Sequence, residues 1–231
     1  MEGFPRISLD PRLSMIASMI GTCESYADIG CDHGRLGAFM LQNGICRRAV
    51  LTDISEPSLK KAKLLIDRLG LTDRVEFCVG NGAQALTKAV DSVVVAGMGG
   101  TTIAGIIREG RNRLGAARLV LQPNVAAAEL RVALCQCGYA IYDEHIVQDG
   151  RRCYVIMAAM VGKADYDLKQ LTVGPVLLER MPDELIPYAF FRSRVVKKAL
   201  LGALASNDAR QIQLLDREAS IWEEVLSCLQ R

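Results

Sequence analysis

The sequence of 231 residues contains no hydrophobic run long enough to cross a membrane. Its longest nearly uninterrupted apolar run, from Tyr154 to Gly162, is far shorter than the roughly 20 residues that a membrane-spanning helix needs. The stretch from Leu13 to Ile20 contains two serines, so it makes a poor secretory signal. We therefore expect a soluble cytoplasmic protein with no membrane partner.

The chain also lacks an excess of either charge and a recognisable metal-ligand pattern. It has 28 Lys and Arg against 26 Asp and Glu, so no global field favours a polyanion, although a local basic patch would suffice for nucleic acid. The eight cysteines form no Cys-x-x-Cys motif, and the two histidines, His33 and His145, are far apart in sequence. We expect no metal ion and a set of free, reduced thiols.

Short Val- and Ile-rich runs alternate with amphipathic helical stretches through the first 140 residues. These runs predict buried strands at Ser25–Ile29, Ala49–Thr52, Val75–Val79, Ser92–Ala96 and Leu119–Leu121. The helical stretches carry their own end signals: Pro11 follows the cap candidate Asp10, and Ser55 precedes a helix that stops at Gly70. Such alternation predicts a parallel sheet with helices on both faces.

The strand pattern then changes to a hairpin. Two strand-like runs, Tyr139–Val147 and Cys153–Val161, are separated by the turn candidate Gln148-Asp149-Gly150-Arg151. A parallel sheet that closes with an antiparallel hairpin is typical of the seven-stranded methyltransferase version of the doubly wound fold. The predicted class is α/β, with a Rossmann-like domain at residues 1–162.

Residues 163–231 are predicted to form a separate all-helical domain. Apolar residues recur there with the spacing of a heptad seam, at Ile212, Leu215, Ala219, Trp222, Leu226 and Leu229. A matching stripe of Val196, Leu200 and Ala203 precedes a turn at Ser206-Asn207-Asp208. We expect a coiled-coil-like helical hairpin that packs on itself and on the main domain, in preference to a dimerising coiled coil. The expected state is a monomer or weak dimer.

The most informative loop follows the first predicted strand and reads Asp28-Ile29-Gly30-Cys31-Asp32-His33-Gly34. Dinucleotide-binding loops use G-x-G-x-x-G to let bare backbone approach a diphosphate. Here Asp32 replaces the middle glycine, and its carboxylate would repel that diphosphate. The carboxylates of Asp28 and Asp32 suit S-adenosylmethionine instead, whose sulfonium and ammonium groups are positive.

Further contact candidates follow the next three strands. Asp53 ends the second strand, about where an acidic residue would bind ribose hydroxyls. A Gly-Asn-Gly turn follows the third strand and a Gly-Met-Gly-Gly loop the fourth. The predicted cofactor-binding residues are Asp28, Gly30, Asp32, Asp53, Ile54, Asn81, Gly82, Gly97, Met98 and Gly99.

Over Leu9–Val161 the sequence resembles the bacterial tRNA (adenine-22 N1)-methyltransferases. The resemblance depends on Ala27-Asp28-Ile29-Gly30-Cys31-Asp32-His33, on Gly80-Asn81-Gly82, and on the pairing of Ala96-Gly97-Met98-Gly99-Gly100 with Leu121-Gln122-Pro123-Asn124. It implies a Rossmann-like methyltransferase with S-adenosylmethionine as donor and a tRNA adenine as acceptor. One departure is Arg35, where the family usually has an aromatic residue, and it affects the expected substrate more than methyl transfer.

Methylation at adenine N1 suggests roles for several residues. Asp32 is the first catalytic candidate, by orienting the base or stabilising its developing charge, although it could instead shape the loop or hold the donor's ammonium. His33 could take up a proton or simply bond a nearby backbone group. Because N1 lies on the Watson–Crick edge, the base must be extruded into the pocket. The predicted substrate-binding residues are Gly100, Gln122, Pro123, Asn124, Arg35, Lys197 and Lys198.

Two other functions remain open at this stage. Near-neutral charge and Arg35 are compatible with a methyltransferase acting on a small molecule or a protein. A degenerate S-adenosylmethionine- or nucleoside-binding protein that uses its helical tail for a partner is the third possibility.

Overall fold

Seven strands form one mixed sheet in the computed structural model, which describes residues 6–150 and 152–229. The strands are β1 (Cys23–Ile29), β2 (Cys46–Asp53), β3 (Val75–Val79), β4 (Ser92–Met98), β5 (Arg118–Pro123), β6 (Tyr139–Asp149) and β7 (Arg152–Val161). Their order in the sheet is β3-β2-β1-β4-β5-β7-β6, and β1 to β5 are parallel. Because the order reverses at β1, the loops after β1 and β4 diverge and leave a crevice at the carboxyl ends of the strands.

The predicted strands and the closing hairpin are confirmed. β7 lies antiparallel between β5 and β6, and β6 pairs with β7 from Tyr139↔Val161 to Asp149↔Arg152. Gly150 takes a positive φ of 59° in the tight turn, and Arg151 of the predicted turn lies outside the described residues. Since β7 inserts next to β5, the hairpin completes the sheet without a further parallel crossover.

Helix α1 (Pro11–Ile20) precedes the first strand, and α2 (Arg35–Gln42), α3 (Glu56–Arg68), α4 (Gly100–Leu114) and α5 (Ala127–Gln136) lie between strands of the sheet. The predicted caps are in place, because the Asp10 side chain accepts a hydrogen bond from Leu13 N and the Ser55 side chain accepts one from Ser58 N. Apolar side chains from α1, α2 and α3 pack with those of the sheet into a buried core. The central strands are hydrophobic on both faces, as expected of a sheet covered on each side.

The helical tail forms its own compact unit. The contact pattern divides the chain between Asp165 and Tyr166, three residues after the boundary expected from the sequence. The second unit comprises α6 (Leu168–Val173), α7 (Pro175–Arg180), α8 (Leu185–Ala205) and α9 (Ala209–Leu229). No helix within the described ranges combines the length and the apolar character that crossing a membrane requires.

The expected helical hairpin is the pairing of α8 with α9. Trp222 is fully buried and meets the Tyr188 ring edge to face at a centroid distance of 5.7 Å. Arg192 forms an ion pair of 2.7 Å with Glu218 across the hairpin. The side chain of Asp208 caps α9 by accepting a hydrogen bond from Gln211 N. The predicted seam therefore serves contacts within the chain.

Candidate active site

A cavity of about 590 Å³ opens at the carboxyl ends of the parallel strands. This volume lies within the range of small-molecule sites, about 300 to 1,000 Å³. The cavity is lined by loops that follow β1, β2, β3 and β4, together with the first turns of α1 and α2 and part of α4. The lining residues are Arg12, Leu13, Asp28, Ile29, Gly30, Cys31, Asp32, His33, Arg35, Leu36, Thr52, Asp53, Ile54, Gly80, Asn81, Gly82, Ala96, Gly97, Met98, Thr102 and Ile106.

The loop after β1 turns sharply at Gly30 and approaches neighbouring segments closely. Gly30 has a φ of 77°, and a β-carbon there would collide with the end of the Met98 side chain. The backbone N–H groups of Gly30 and Cys31 both donate to the carbonyl of Thr52, at 2.8 and 3.0 Å. Only glycine combines this backbone conformation with the closeness of Met98 at no steric cost.

Asp28 is a buried carboxylic acid on the cavity wall. Its residue surface is 5% exposed, and no described residue forms a hydrogen bond or ion pair with its side chain. Burial first, and then the negative charge of Asp53, raise the pKa of Asp28 from its ordinary value of 3.8 to about 7, although the positive charge of Arg12 opposes the increase. A cationic group entering the cavity would favour the charged form of this carboxyl.

The carboxylate of Asp53 accepts hydrogen bonds from the loop after β1 and from the loop after β2. One of its carboxylate oxygens accepts a hydrogen bond from Asp32 N at 3.1 Å, and the other accepts one from Ser55 N at 2.8 Å. Asp32 has a positive φ of 49°, which is unusual for a residue other than glycine. The carboxylate of Asp53 therefore helps to hold the loop after β1 in its turned conformation while it faces the cavity.

Asp32, His33 and Lys61 form a chain of polar contacts at the rim. His33 Nδ1 lies 3.3 Å from a carboxylate oxygen of Asp32, and His33 Nε2 lies 3.3 Å from the Lys61 ammonium. The two ring nitrogens of His33 therefore contact side chains of opposite charge, a carboxylate on one edge and an ammonium on the other. His33 thus binds side chains on both edges, a different arrangement from the backbone contact considered from the sequence.

The cavity lining also includes apolar side chains and the amide side chain of Asn81. Ile54 is 73% exposed, and together with Ile106 it contributes apolar surface to the lining. Asn81 and Gly82 lie there too, and a β-carbon on Gly82 would press against Ile106. A flat heteroaromatic ring is the kind of group that such a site can hold between apolar walls, with an amide at its edge.

The loops after β4 and β5 are joined by a dense set of hydrogen bonds. Gln122 is fully buried; its Oε1 accepts from Gly97 N at 3.1 Å and its Nε2 donates to Asn124 Oδ1 at 3.1 Å. Asn124 Nδ2 donates in turn to the Gly97 carbonyl at 2.7 Å. Gly100 N donates to the Val125 carbonyl, and a β-carbon on Gly100 would collide with the Ala126 carbonyl oxygen. The loop Gly97–Gly100 and the segment after β5 are therefore held together by hydrogen bonds.

The structure brings most of the predicted site residues to one cavity. The residues that line it are Asp28, Gly30, Asp32, His33, Arg35, Asp53, Ile54, Asn81, Gly82, Gly97 and Met98. Gly99, Gly100, Gln122, Pro123 and Asn124 are not among the lining residues, and Lys197 and Lys198 lie on α8 in the second unit. The roles of all these residues in binding and catalysis stay predictions.

The sequence reasoning missed Arg12, Thr52 and Ile106. Arg12 precedes the first strand, so nothing in its neighbourhood along the chain marks it as a site residue. Thr52 is fully buried at the end of β2, and its hydroxyl has no hydrogen-bond partner among the described residues. A β-branched residue in a buried strand is usual, so nothing in the sequence at Thr52 indicates that it belongs to a binding site.

The buried carboxyl of Asp28 predicts a specific pH dependence of stability. Between pH 4 and pH 7 the native state retains a proton that the unfolded chain has released, so its contribution to stability is present at low pH and is lost as pH rises through 7. Asp28→Asn removes this titration. In the ligand-free protein we therefore expect the free energy of unfolding of the variant, relative to wild type, to be higher at pH 8 than at pH 5, by up to a few kcal/mol.

Urea unfolding at the two pH values measures this difference. Asp91→Asn is the matched control, because Asp91 is exposed at the amino end of β4, away from the cavity. If the curves of Asp28→Asn and wild type stay parallel from pH 5 to pH 8, the raised pKa is wrong.

Comparisons with known proteins agree with this architecture. The family model for a methyltransferase domain matches residues 9–157. The tRNA (adenine(22)-N(1))-methyltransferase of Bacillus subtilis is 33% identical over 172 residues, which are 73% of this chain and 72% of that protein. The structure of Sp1610 from Streptococcus pneumoniae in complex with S-adenosyl-L-methionine superposes with a TM-score of 0.86 at 25% identity, covering 95% of this chain and 100% of that one. The B. subtilis M1A22 tRNA methyltransferase TrmK has the same fold, with a TM-score of 0.87 at 24% identity, covering 96% of this chain and 100% of that chain.

Proposed function

Because the chain belongs to the methyltransferase family that includes the tRNA (adenine(22)-N(1))-methyltransferases, we propose that it methylates N1 of adenine 22 in tRNA. The observation that carries this proposal is the cavity, whose glycine turn and aspartates suit a cationic adenosyl donor. The catalytic domain in this proposal is residues 1–162, and residues 163–231 form the helical domain. In this proposal the enzyme acts in the cytoplasm, where tRNA is found, and it is a monomer or weak dimer.

The residues on the cavity wall fit S-adenosylmethionine. Asp28 is a buried carboxylate without a partner among the described residues, which suits a positive group. Asp53, Ile54, Asn81 and Gly82 also line the cavity. In this proposal Asp53 binds the ribose hydroxyls, and Ile54, Asn81 and Gly82 bind the adenine ring. The described residues contain no cluster of His, Cys, Asp and Glu that could hold a metal ion.

Methyl transfer to adenine N1 requires alignment more than proton abstraction. When bound, S-adenosylmethionine supplies an electrophilic methyl group on a sulfonium sulfur. The N1 lone pair forms the new N–C bond as the C–S bond breaks, so the positive charge moves from sulfur to the adenine and no proton has to leave. The task of the protein is to hold N1 in line with the methyl group at a near-attack distance.

Asp32 is the residue that we assign to the developing charge. Its carboxylate lies at the cavity, and a negative charge there stabilises an adenine that becomes positive. His33 contacts both Asp32 and Lys61, so it acts as a positioning residue. Since the transfer needs no proton acceptor, this role replaces the proton uptake considered for His33.

The loop Gly97–Gly100 and the segment Gln122-Pro123-Asn124 are assigned to the acceptor base. The side chains of Gln122 and Asn124 form hydrogen bonds with the Gly97 loop and with each other, and Gln122 Oε1 also accepts one from Arg12. Their first contribution is therefore to fix the backbone of the wall against which an extruded base would lie. Arg35, which donates to the Ser8 carbonyl at 2.7 Å, lies at the same cavity as a cation available to the RNA backbone.

The proposal is tested by incubating the full chain with methyl-labelled S-adenosylmethionine and an unmodified tRNA transcript, followed by nucleoside analysis. We expect 1-methyladenosine at position 22, and none in a matched transcript with guanine at that position. Labelled product from a protein or small molecule instead of tRNA would contradict the acceptor. Failure to bind the donor in calorimetry would contradict methyl transfer itself.

The tail is proposed to dock tRNA through α8. Lys197 and Lys198 are exposed there next to Arg194, and the exposed rings of Phe190 and Phe191 precede them on the same helix. Lys197 pairs with Glu223 at 2.8 Å, and both side chains remain about half exposed, so the pair contributes little to stability. Exposed cations among aromatic rings are a common feature of surfaces that bind nucleic acids.

Reversing both lysines, in Lys197→Glu with Lys198→Glu, should weaken tRNA binding. Each lost phosphate contact lowers the slope of log affinity against log salt by about one, so we expect a slope smaller by about two. Filter binding at several salt concentrations measures it. Lys63→Glu with Lys88→Glu is the matched control, since Lys88 also pairs with a glutamate, Glu76. An unchanged slope in the tail variant would refute docking on α8.

A further inference from the structure

The rim where the loop after β4 meets the segment after β5 contains a glycine that the folded chain does not require. Gly99 has a φ of −69° and a ψ of 144°, an extended conformation that any residue adopts. A β-carbon there would meet Thr102 Oγ1 at 3.7 Å, Val125 Cγ2 at 3.9 Å and Thr101 Oγ1 at 4.0 Å, which are ordinary van der Waals distances. Gly99 is also the N-cap of α4, where serine or asparagine serves at least as well. The fold by itself therefore gives no reason for a missing side chain at this position.

The space beside Gly99 adjoins the cavity on one side and an exposed apolar side chain on the other. Thr102 lines the cavity, and Val125 is 65% exposed. Both side chains reach within 4 Å of the position that a β-carbon on Gly99 would take, so they border the same small space. We call this space, bordered by Gly99, Thr102 and Val125, the Gly99 shelf.

The backbone that carries Val125 is held in place from both sides. Asn124 N donates to the Met98 carbonyl at 2.7 Å, and the Val125 carbonyl accepts a hydrogen bond from Gly100 N at 2.8 Å. Ala126 follows with a φ of 59°, in the left-handed region that residues other than glycine rarely enter. The methyl groups of Val125 are thus displayed to solvent from a fixed backbone.

We propose that the Gly99 shelf receives the extruded acceptor adenine, with one face of the ring against the Gly99 backbone and the methyl groups of Val125. This assignment rests on the proposed function. The face of a purine is flat and largely apolar, so bare backbone and a branched apolar side chain are complementary to it. A side chain at residue 99 would fill the space that the ring needs, which accounts for the glycine.

The amides that the sequence suggested for the base are engaged within the protein, which leaves the face of the base to the shelf. Gln122 is fully buried and bonds Gly97 N and Asn124, and Asn124 Nδ2 bonds the Gly97 carbonyl. Neither amide residue is among those that line the cavity. The cavity adjoins the shelf at Thr102, as transfer of a methyl group from donor to base requires.

Gly99→Ala tests the shelf, because its β-carbon fits the free protein and competes only with the base. We expect the rate of methyl transfer at saturating tRNA to fall by about 10- to 100-fold, since a displacement of about 1 Å costs this much. Single-turnover assays of the full chain with labelled S-adenosylmethionine and an unmodified tRNA transcript measure it. Affinity for S-adenosylhomocysteine in calorimetry, and for tRNA in filter binding, should change less than about twofold, because phosphate contacts dominate RNA affinity.

Two further variants complete this experiment. Gly105→Ala is the matched control, because it places the same methyl group on α4 at a position where no described residue would lie within 4 Å of it. It should transfer the methyl group as wild type does. Gly99→Ser, whose hydroxyl can cap α4, should show the same loss as Gly99→Ala, which covers the case in which the alanine variant does not fold.

Val125→Ala tests the apolar wall of the shelf. Loss of two methyl groups from contact with the base should lower the transfer rate by about 3- to 15-fold. Val161→Ala is the matched control, because Val161 is an exposed valine at the end of β7, and it should lower the rate less than about twofold.

Wild-type transfer rates in Gly99→Ala and Val125→Ala would overturn the assignment and leave the proposed function intact. A large loss of S-adenosylhomocysteine affinity in Gly99→Ala would also overturn it, because residue 99 would then face the donor. Wild type that binds S-adenosylhomocysteine but methylates no tRNA would overturn the proposed function and the assignment together.

Discussion

Asp53→Ala is expected to weaken S-adenosylhomocysteine binding by about a hundred- to ten-thousandfold. In the proposed complex the carboxylate accepts two hydrogen bonds from ribose hydroxyls, and a hydrogen bond to a charged group contributes about 1.5 to 3 kcal/mol. The substitution also removes the acceptors for Asp32 N and Ser55 N, which hold the loop after β1. Because the contact is to the nucleoside part, 5′-methylthioadenosine, which lacks the amino-acid end, should lose as much affinity as S-adenosylhomocysteine.

Asp91→Ala is the matched control for this experiment. Asp91 is also an aspartate that holds a backbone amide, since it accepts hydrogen bonds from Ser25 N and Ser25 Oγ, but it lies at the amino end of β4. We expect it to cost some stability and to bind both ligands as wild type does. If Asp53→Ala binds as tightly as Asp91→Ala in calorimetry, the ribose contact is wrong.

The second large expected effect is on stability, and it concerns a buried ion pair between α5 and β6. Arg131 Nε of α5 donates to Glu144 Oε1 of β6 at 2.9 Å, and both side chains are fully buried. Glu144→Gln removes one charge and leaves the guanidinium in a low-dielectric site. Breaking such a pair from one side costs about 3 to 5 kcal/mol. We expect the urea midpoint of the first unit to fall accordingly.

Replacing both partners should cost much less than replacing one. In Arg131→Met with Glu144→Leu no charge is left behind, so most of the lost free energy of unfolding should return. The exposed pair of Lys60 with Glu56, at 3.1 Å, is the surface control, and Glu56→Gln should change stability by less than about 1 kcal/mol. If Glu144→Gln behaves like Glu56→Gln, the buried pair does not carry the stability that we assign to it.

Much of the fold was predictable because its signals are local. Strands that are buried on both faces appear as continuous Val and Ile runs, and helix caps such as Asp10 and Ser55 lie next to the amides that they bind. The hairpin was predicted from Asp149-Gly150 between two strand-like runs, since this turn signal lies next to the strands that it joins. The helical pair followed from its heptad spacing in the same way.

The site was predictable where a residue lies at the carboxyl end of a strand or in the loop just after it. The carboxyl ends of parallel strands meet at one edge, so Asp28, Asp53, Asn81 and Gly97 had to lie near one another once the sheet was assigned. The Gly97 and Gln122 segments were expected to contact a base. Their mutual hydrogen bonds were not predictable, because no sequence pattern states which amide finds an internal partner.

The sequence alone determined the class of the protein, because the signals of that class lie between neighbours along the chain. These signals are the alternating buried runs, the acidic glycine turn after β1 and the paired motifs after β4 and β5. Only the tertiary structure decided which distant groups share the cavity. It places Arg12 beside Gln122 and Tyr154, and buries Asp28 deeply enough to raise its pKa to about 7. The physical reason is that burial and the distance between charges depend on packing in three dimensions, which spacing along a chain does not record.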